Sequence, residues 1–235
     1  MRFLIVRIDA EAEHRDTLRA WIAGEHLPSV AGVPGFAPGA AAYEAVETPT
    51  AVRRYPGRPH FTIAYPLDDG IAVEAIFGAD VFQQWWLDAM RARFHWFTTH
   101  RWVVCEQKLG PETPFTHRRM IFSEVDVAPG HEDAWGPWYL KHHVPDAAAV
   151  PGMFEPELRR FESLDVATPR FHCAARPRFV QLLPIRDDAD ILARSAAPEF
   201  LTQAADTQAT WGGALTFLST VCTRIEPTTT GGPSA

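Results

Sequence analysis

The sequence has few cysteines and lacks the short motifs of several common catalytic folds. Its three cysteines are odd in number and have no CxxC spacing, so we expect reduced thiols rather than a disulfide framework or a zinc site. A glycine-rich phosphate loop, a GxSxG nucleophile elbow and an HExxH motif are all absent. These absences exclude the corresponding nucleotide-binding, hydrolase and zinc-protease classes, and we expect neither a metal nor a cofactor.

Long apolar runs and dense basic runs are also missing. No stretch approaches the roughly 18 apolar residues of a membrane span, and the apolar segment within residues 1–7 is too short for a signal peptide. The formal net charge of −7 argues against a nucleic-acid face or an anionic membrane surface. We therefore expect a cytoplasmic protein whose partner is a small aromatic or apolar molecule, with no nucleic-acid or membrane partner.

The sequence is rich in aromatic residues. It contains 8 Trp and 15 Phe in 235 residues, of which 46% are hydrophobic. This length and composition suffice for one large core or two small ones. Because aromatic side chains line both cores and apolar pockets, their positions carry most of the functional information.

A histidine motif occurs twice. The pattern W-x4-H-x-P-x5-P-G covers residues 21–35 and again residues 138–152, so that His143 repeats His26 at an offset of 117 positions. The same offset matches Asp9 with Asp126 and Cys105 with Cys222. Agreement at several separated points indicates an internal duplication.

The predicted elements follow the same division. Strands are predicted at residues 2–8, 40–46, 60–65 and 98–107, with helices at 11–24 and 79–94; the second set has strands at 119–127, 158–164, 179–183 and 215–225, with helices at 131–142 and 198–210. Each set has the order βαββαβ, which places both helices on one face of a four-stranded sheet. The uncovered faces need a partner, so we expect the two sheets to pack against each other.

We therefore predict an α+β protein made of two ferredoxin-like βαββαβ repeats packed sheet to sheet as an α+β barrel. The first half covers residues 1–107 and the second half residues 118–226. Residues 108–117 are predicted to be a linker, and residues 227–235, which are small, polar and rich in Gly and Pro, a disordered tail.

The repeated W-x4-H-x-P-x5-P-G pattern resembles the EthD-like branch of the dimeric α+β barrel superfamily, over nearly the whole chain as two fused domains. The resemblance implies a cleft for a small molecule between each sheet and its helices, with the motif histidine at its mouth. Members of the superfamily include cofactor-free monooxygenases, isomerases, cyclases, dehydratases and haem enzymes, so the fold alone does not define the chemistry. It also leaves a homodimer open.

The motif histidines are the first catalytic candidates. His26 and His143 are predicted at helix C-termini, where the macrodipole favours imidazolium and a ring can exchange a proton near neutral pH. The competing interpretation is that each ring caps the last helix carbonyls. His60 and Tyr65 complete the catalytic candidates, because a second imidazole or a hydroxyl could stabilise an enolate or phenolate.

Differences between the two copies suggest that the halves have different roles in ligand binding. Trp85 and Trp86 of the first half align with Gln203 and Ala204, and His60 aligns with Arg178. We expect a pocket for a planar apolar ligand in the first half, and in the second half a guanidinium that binds an anionic or phenolic group. The candidate substrate-binding residues are Trp21, Trp85, Trp86, His95, Trp138, Tyr139, Arg176 and Arg178. Core packing for the tryptophans and salt bridges for the arginines are the alternatives.

The sequence thus predicts a cofactor-independent enzyme that acts on an aromatic or polyketide-like molecule by histidine-mediated proton transfer, as a lyase, dehydratase or isomerase. A cofactor-free monooxygenase or a haem enzyme of the same fold is the first alternative, with His95, His143 or His172 as conceivable iron ligands. The second alternative is a non-catalytic protein that binds a hydrophobic ligand.

Overall fold

A computed structural model describes most of the chain. The described residues are 1–46, 59–91, 93–112, 115–155, 157–167, 172–173 and 177–228. Arg176, and residues 229–235 of the predicted tail, lie outside them.

In the described part of the chain, ten strands form two sheets. They are β1 (Arg2–Ala10), β2 (Ala41–Ala45), β3 (Phe61–Leu67), β4 (Phe97–Leu109), β5 (Arg119–Val127), β6 (Arg159–Leu164), β7 (Val166–Ala167), β8 (His172–Cys173), β9 (Phe179–Ile185) and β10 (Leu215–Ile225). The short strands β7 and β8 pair only with each other. The other eight close into an antiparallel barrel in the order β1-β3-β2-β10-β5-β9-β6-β4.

The helices lie in the connections between these strands. They are α1 (Arg15–Trp21), α2 (Leu27–Val30), α3 (Val73–Gly78), α4 (Asp80–Arg91), α5 (Glu132–Trp138), α6 (Val144–Ala149), α7 (Ile191–Ser195) and α8 (Pro198–Trp211). Short 3-10 turns span Ala12–His14 and Phe94–Trp96, and π-helical turns span Ile22–His26 and Tyr139–His143.

Alternate side chains along the strands belong to two separate layers of the hydrophobic core. On β1, Phe3 and Ile5 belong to a cluster shared by strands of both halves, whereas Leu4 and Val6 belong to a cluster with the helices of the first half. Successive side chains point to opposite faces of a strand, so one strand contributes to both layers. Strands of a barrel that are buried on both faces are therefore rich in apolar residues, and β3 is buried over its whole length.

The predicted α+β class and barrel are confirmed. Within each half the strand order across the barrel is fourth, first, third, second, and the halves join edge to edge through β2 with β10 and β4 with β6. Edge pairing was not part of the prediction, which placed the sheets only face to face. Edge pairing leaves neither of the two four-stranded sheets, one from each half, with a free edge. Two open sheets stacked face to face would keep theirs.

The segment between the halves packs against the barrel. Phe115 is 2% exposed and its ring contacts those of Phe3 and Phe161, with centroids 5.0 and 6.2 Å away. Near the other end of the chain, the N–H of Thr228 donates to the carbonyl oxygen of Ala23 at 3.0 Å. Among the described residues, no helix has the length and apolar character needed to cross a membrane.

Candidate functional site

Both motif histidines end a π-helical turn inside a longer helical segment. His26 follows α1 and is continued by α2, and His143 follows α5 and is continued by α6. A π-helical turn widens the backbone at one point. The proline two residues after each histidine sits in the first turn of the next helix, where its missing N–H is tolerated.

The predicted position of these histidines at helix C-termini is therefore wrong. The sequence suggested an end at Gly24 and Pro28, yet the helical segment continues to Val30. The π-helical turn supplies the room that a proline needs, so the helix does not break. His26 consequently gains no stabilisation of imidazolium from a helix end.

In the first half, His26 is sealed by aromatic rings. It is 1% exposed, and its Nε2 lies 2.5 Å from the hydroxyl oxygen of Tyr65. Its ring stacks on Trp85 at 5.1 Å and lies 4.5 Å from Trp21, while the indole N–H of Trp85 donates to Ser29 at 2.8 Å. Three of the predicted site residues, Trp21, Tyr65 and Trp85, thus do meet around His26.

The space beneath the helices of the first half is filled by these and neighbouring rings. Trp86 packs edge-on to Trp102 with centroids 4.0 Å apart, and Phe36 stacks on Tyr65 at 5.4 Å. Trp86 is 2% exposed and Tyr65 is fully buried. The pocket expected in the first half is therefore occupied by its own side chains, and core packing is the interpretation that the geometry favours for these tryptophans.

Burial sets the charge of His26. Desolvation, with a smaller contribution from Arg93, lowers the pKa of His26 to about 3, so the ring is neutral at physiological pH. Burial also raises the pKa of Tyr65 well above its usual value. The pair is a neutral hydrogen bond within a core, which the solvent cannot reach.

This burial makes stability depend on pH. The pKa of His26 in the folded protein lies below that of an unfolded histidine, about 6.5. Protons therefore bind preferentially to the unfolded chain, and the contribution of the neutral ring is lost as pH falls from about 6.5 towards 3. We expect His26→Gln to flatten the slope of the unfolding free energy between pH 6 and 4 by about 1.4 kcal/mol per pH unit, measured by urea unfolding. The exposed His95→Gln is the matched control, and an unchanged slope in His26→Gln would contradict the assignment.

The second half holds a cleft at the place where, in the first half, the described aromatic side chains pack against one another. Its volume is about 260 Å³, and it lies between the sheet and α8, with His143 in its wall. Phe200, Trp135 and Trp211 supply aromatic surface. Ala204 and Gln208 on α8 are exposed, so the cleft has access to solvent.

Substitutions between the halves explain the cleft. At the positions of Trp85, Trp86 and Trp102 the second half has Gln203, Ala204 and Ser219. All three smaller residues line the cleft. The loss of three indole rings from one layer leaves room that no neighbouring side chain takes, because packed interiors relax only in part around removed volume.

A row of polar side chains crosses the sheet beneath this cleft. Ser219 pairs with Ser123, Ser123 with Gln181, and Gln181 with Arg160, on four adjacent strands. The equivalent row in the first half is apolar: Trp102, Val6, Ile63 and Ala42. We call the second-half residues Arg160, Gln181, Ser123 and Ser219 the polar row.

His143 differs from His26 in its partners. Leu183 stands at the position of Tyr65, so His143 has no tyrosine hydroxyl beside its Nε2. Its ring stacks on Tyr139 at 5.0 Å, lies 6.1 Å from Trp138, and remains partly exposed. Desolvation lowers the pKa of His143 to about 4, with Asp146 opposing, so this ring is also neutral at physiological pH.

The remaining predicted residues lie elsewhere. The Nε2–H group of His60 donates to Glu44 Oε1 at 2.8 Å, and Arg19 donates to both oxygens of the same carboxylate at 2.6 Å. Arg178 pairs with Glu162 at the equivalent place in the second half. His95 is exposed on a 3-10 turn. None of these three contacts His26 or His143 in the part of the chain that the structure describes, and Arg176 lies outside it.

Sequence reasoning missed the residues that make the cleft polar. Ser123, Gln181 and Ser219 occupy strand positions where single residues carry no functional signal. A comparison of the two halves could have identified these three residues, because each of them replaces an apolar residue of the first half. Gln203 and Ala204 were noted as replacements of tryptophan, but they were interpreted as a sign that the halves have different roles, with the apolar pocket expected in the first half.

No protein-family model matches the chain, and no curated protein matches it. Solved structures do resemble it over nearly their whole length. A candidate monooxygenase from Lactobacillus acidophilus NCFM has a TM-score of 0.52 at 11% identity, covering 95% of this chain and 93% of that one. A candidate monooxygenase from Fusobacterium nucleatum subsp. nucleatum ATCC 25586 has a TM-score of 0.55 at 11% identity, with 96% and 92% covered. An anthrone oxidase-like protein has a TM-score of 0.56 at 14% identity, with 94% and 90% covered.

These similarities concern the fold. They show that the chain shares the overall architecture of these solved structures. At such low identity they do not transfer an activity to this chain.

Proposed function

We propose that this protein is a cofactor-independent enzyme that acts on a small aromatic molecule in the cleft of the second half. The observation that supports the proposal is the contrast between halves: one motif histidine is sealed in a core, and the other borders an accessible aromatic cleft. Ligand sites are typically concave and mostly apolar with a few polar groups. The cleft has this character, and among its described lining residues none carries a formal charge.

In this proposal His143 removes a proton from a C–H or O–H group of the substrate. A neutral imidazole is the form that accepts a proton. The effect of burial, which lowers the pKa of His143, is offset once an anion forms beside the ring, because opposite charges favour the charged form. Proton transfer and oxyanion formation thus support each other.

The anion has two fates. Reprotonation or loss of a leaving group gives an isomerase, dehydratase or lyase; reaction of the carbanion with dioxygen gives a cofactor-free oxygenase. The names of the solved structures with the same fold favour keeping the oxygenase as the second candidate. Oxygen uptake measured during substrate turnover separates the two, because only the oxygenase consumes dioxygen in proportion to product.

Haem does not fit this cleft. A volume of about 260 Å³ lies below the roughly 300–1,000 Å³ of clefts for drug-sized ligands, and a haem macrocycle is larger than such ligands. Of the conceivable iron ligands, His95 is exposed on the surface, and the His172 side chain lies outside what the structure describes.

Filling the cleft tests the proposal. Ala204→Trp restores the indole that the first half has at this position, so we expect it to raise the Kd of naphthalene, an apolar probe of the cleft, by at least about tenfold in a fluorescence titration. The control is Ala205→Trp, at an exposed position of the same helix that does not line the cleft. Equal loss of binding in both variants, or in neither, would contradict the assignment of the cleft.

We further propose that the two halves arose by tandem duplication, with boundaries at residues 1–107 and 118–226. Strands β1 and β5, helices α1 and α5, and both π-helical turns begin 117 positions apart. Gly35 and Gly152, also 117 apart, both have positive φ, of 90° and 65°. A homodimer and a cytoplasmic location stay predictions.

A further inference from the structure

The polar row contains a buried cation that no carboxylate neutralises among the described residues. Arg160 is 9% exposed, and its Nε has no hydrogen-bond partner. Its guanidinium lies 5.7 Å from the ring centroids of both Tyr139 and Phe179. Gly136 leaves room for it, since a Cβ there would lie 3.3 Å from its Nη1.

A buried cation without a counterion is costly, so such groups usually face an anion. By comparison, even two more exposed arginines of the same half have carboxylate partners: Arg178 is paired with Glu162, and Arg186 with Asp188. Ala42 stands at the Arg160 position in the first half, where no cleft needs a charge. The charge of Arg160 is therefore a property of the half that holds the cleft.

Gln181, the next member of the row, lies between Arg160 and the cleft. It lines the cleft and is 4% exposed, and its Nε2 has no hydrogen-bond partner. An amide N–H donor that is buried and unsatisfied costs free energy until an acceptor arrives. Ser123 and Ser219 hydrogen-bond to each other at 2.8 Å, whereas Gln181 lines the cleft with a buried side-chain N–H group that has no partner.

We propose that Gln181 and Arg160 form the oxyanion-stabilising end of this site, with Gln181 Nε2–H donating to the substrate oxygen and Arg160 stabilising its negative charge from one strand away. The substrate is then a phenol or an enolisable carbonyl compound. Gln181 contacts the substrate, whereas Arg160, which does not line the cleft, is a positioning residue that acts through its field. This inference rests on the proposed function for the location of the site, and it adds the substrate class and the two groups.

The test uses a phenol whose ionisation is visible. 4-Nitrophenol is titrated in the presence of saturating full-length protein, and its absorbance gives the pKa of the bound phenol. We expect the wild-type protein to lower that pKa by about one unit relative to free 4-nitrophenol, since an opposite charge nearby favours the ionised form. Gln181→Leu and Arg160→Met should each move it back towards the free value, and Arg160→Lys should retain most of the shift.

Two controls separate this inference from its alternatives. Arg178→Gln removes one positive charge from the same half, outside the cleft, and should leave the bound pKa unchanged. Nitrobenzene, which has no ionisable hydroxyl, should bind equally to wild type and Gln181→Leu. Should Arg160→Met fail to fold, Gln181→Leu and Arg160→Lys still provide the comparison.

The outcomes distinguish the two proposals. Binding of both probes with an unshifted phenol pKa in the wild type overturns the oxyanion assignment and leaves the cleft as a ligand site. A shift that survives both Gln181→Leu and Arg160→Met also overturns it. Failure of both probes to bind the wild type overturns the cleft itself, and the oxyanion assignment with it.

Discussion

Replacing His143 by Gln is expected to lower the turnover number of an identified substrate by about 10²–10⁴-fold, the usual contribution of a positioned acid–base group. Replacing His26 by Gln is expected to leave turnover nearly unchanged. The two residues occupy the same place in the motif, and both rings are neutral. Only His143 borders the cleft, since the ring of His26 is enclosed by Tyr65 and Trp85.

Steady-state kinetics of His26→Gln, His143→Gln and the double variant make this comparison. The first variant controls for loss of a motif histidine within a π-helical turn. Substrate turnover that survives the double replacement would show that neither histidine moves the proton. Loss of turnover in His26→Gln alone would assign the active site to the first half.

The sequence was informative about strands because burial on both faces leaves them few alternatives. Strands at residues 119–127 and 215–225 were predicted with the bounds that the structure has. The helices were harder to delimit. The first helix of each half was predicted to end at residue 24 or 142, whereas the chain continues through a π-helical turn into a further helix in each half. That outcome depends on the backbone geometry of four or five residues, which no pattern of side-chain hydropathy records.

The location of the cleft was harder still to predict. Trp85 and Trp86 at helical spacing are compatible with the wall of a pocket and with a packed core, and the sequence does not distinguish them. The structure favours the core, because the rings fill one another's space. A cleft forms where large side chains are missing. In the sequence, the cleft is therefore indicated by Ala204 and Ser219, two small residues that are inconspicuous when each is considered alone.

An ion pair between strands of the two halves is a second feature that the sequence did not predict. Arg7 and Glu124 occupy the same position in β1 and β5, 117 residues apart, and each looks like a surface residue in its own strand. In the closed barrel they are both 1% exposed, with Arg7 Nη1 lying 3.3 Å from Glu124 Oε2. Two identical halves would bring like residues together here, so opposite charges are available only to halves that have diverged. The sequence could not reveal the contact without the closure of the barrel.

This pair leads to the prediction with the largest expected effect on stability. Glu124 also accepts from Arg101, while Arg7 donates to Thr220 at 3.4 Å and lies 4.3 Å from the ring centroid of Phe122. Glu124→Gln leaves two guanidinium groups without a counterion, of which Arg7 is fully buried. We expect it to lower the free energy of unfolding by about 3–5 kcal/mol, the usual cost of breaking a buried pair from one side.

Variants at Arg7 and Glu124 should differ in stability in a defined order. Arg7→Met should cost less than Glu124→Gln, because Glu124 keeps Arg101 as a partner. Arg7→Met combined with Glu124→Leu should recover most of the stability, since a buried ion pair replaced by apolar side chains is often neutral or stabilising, and Arg101, which is 34% exposed, can turn towards solvent. Urea unfolding of the three variants at pH 7 measures the order. A double variant as unstable as Glu124→Gln would show that the two charges contribute net stability to the barrel, rather than a penalty that appears only when one partner is removed.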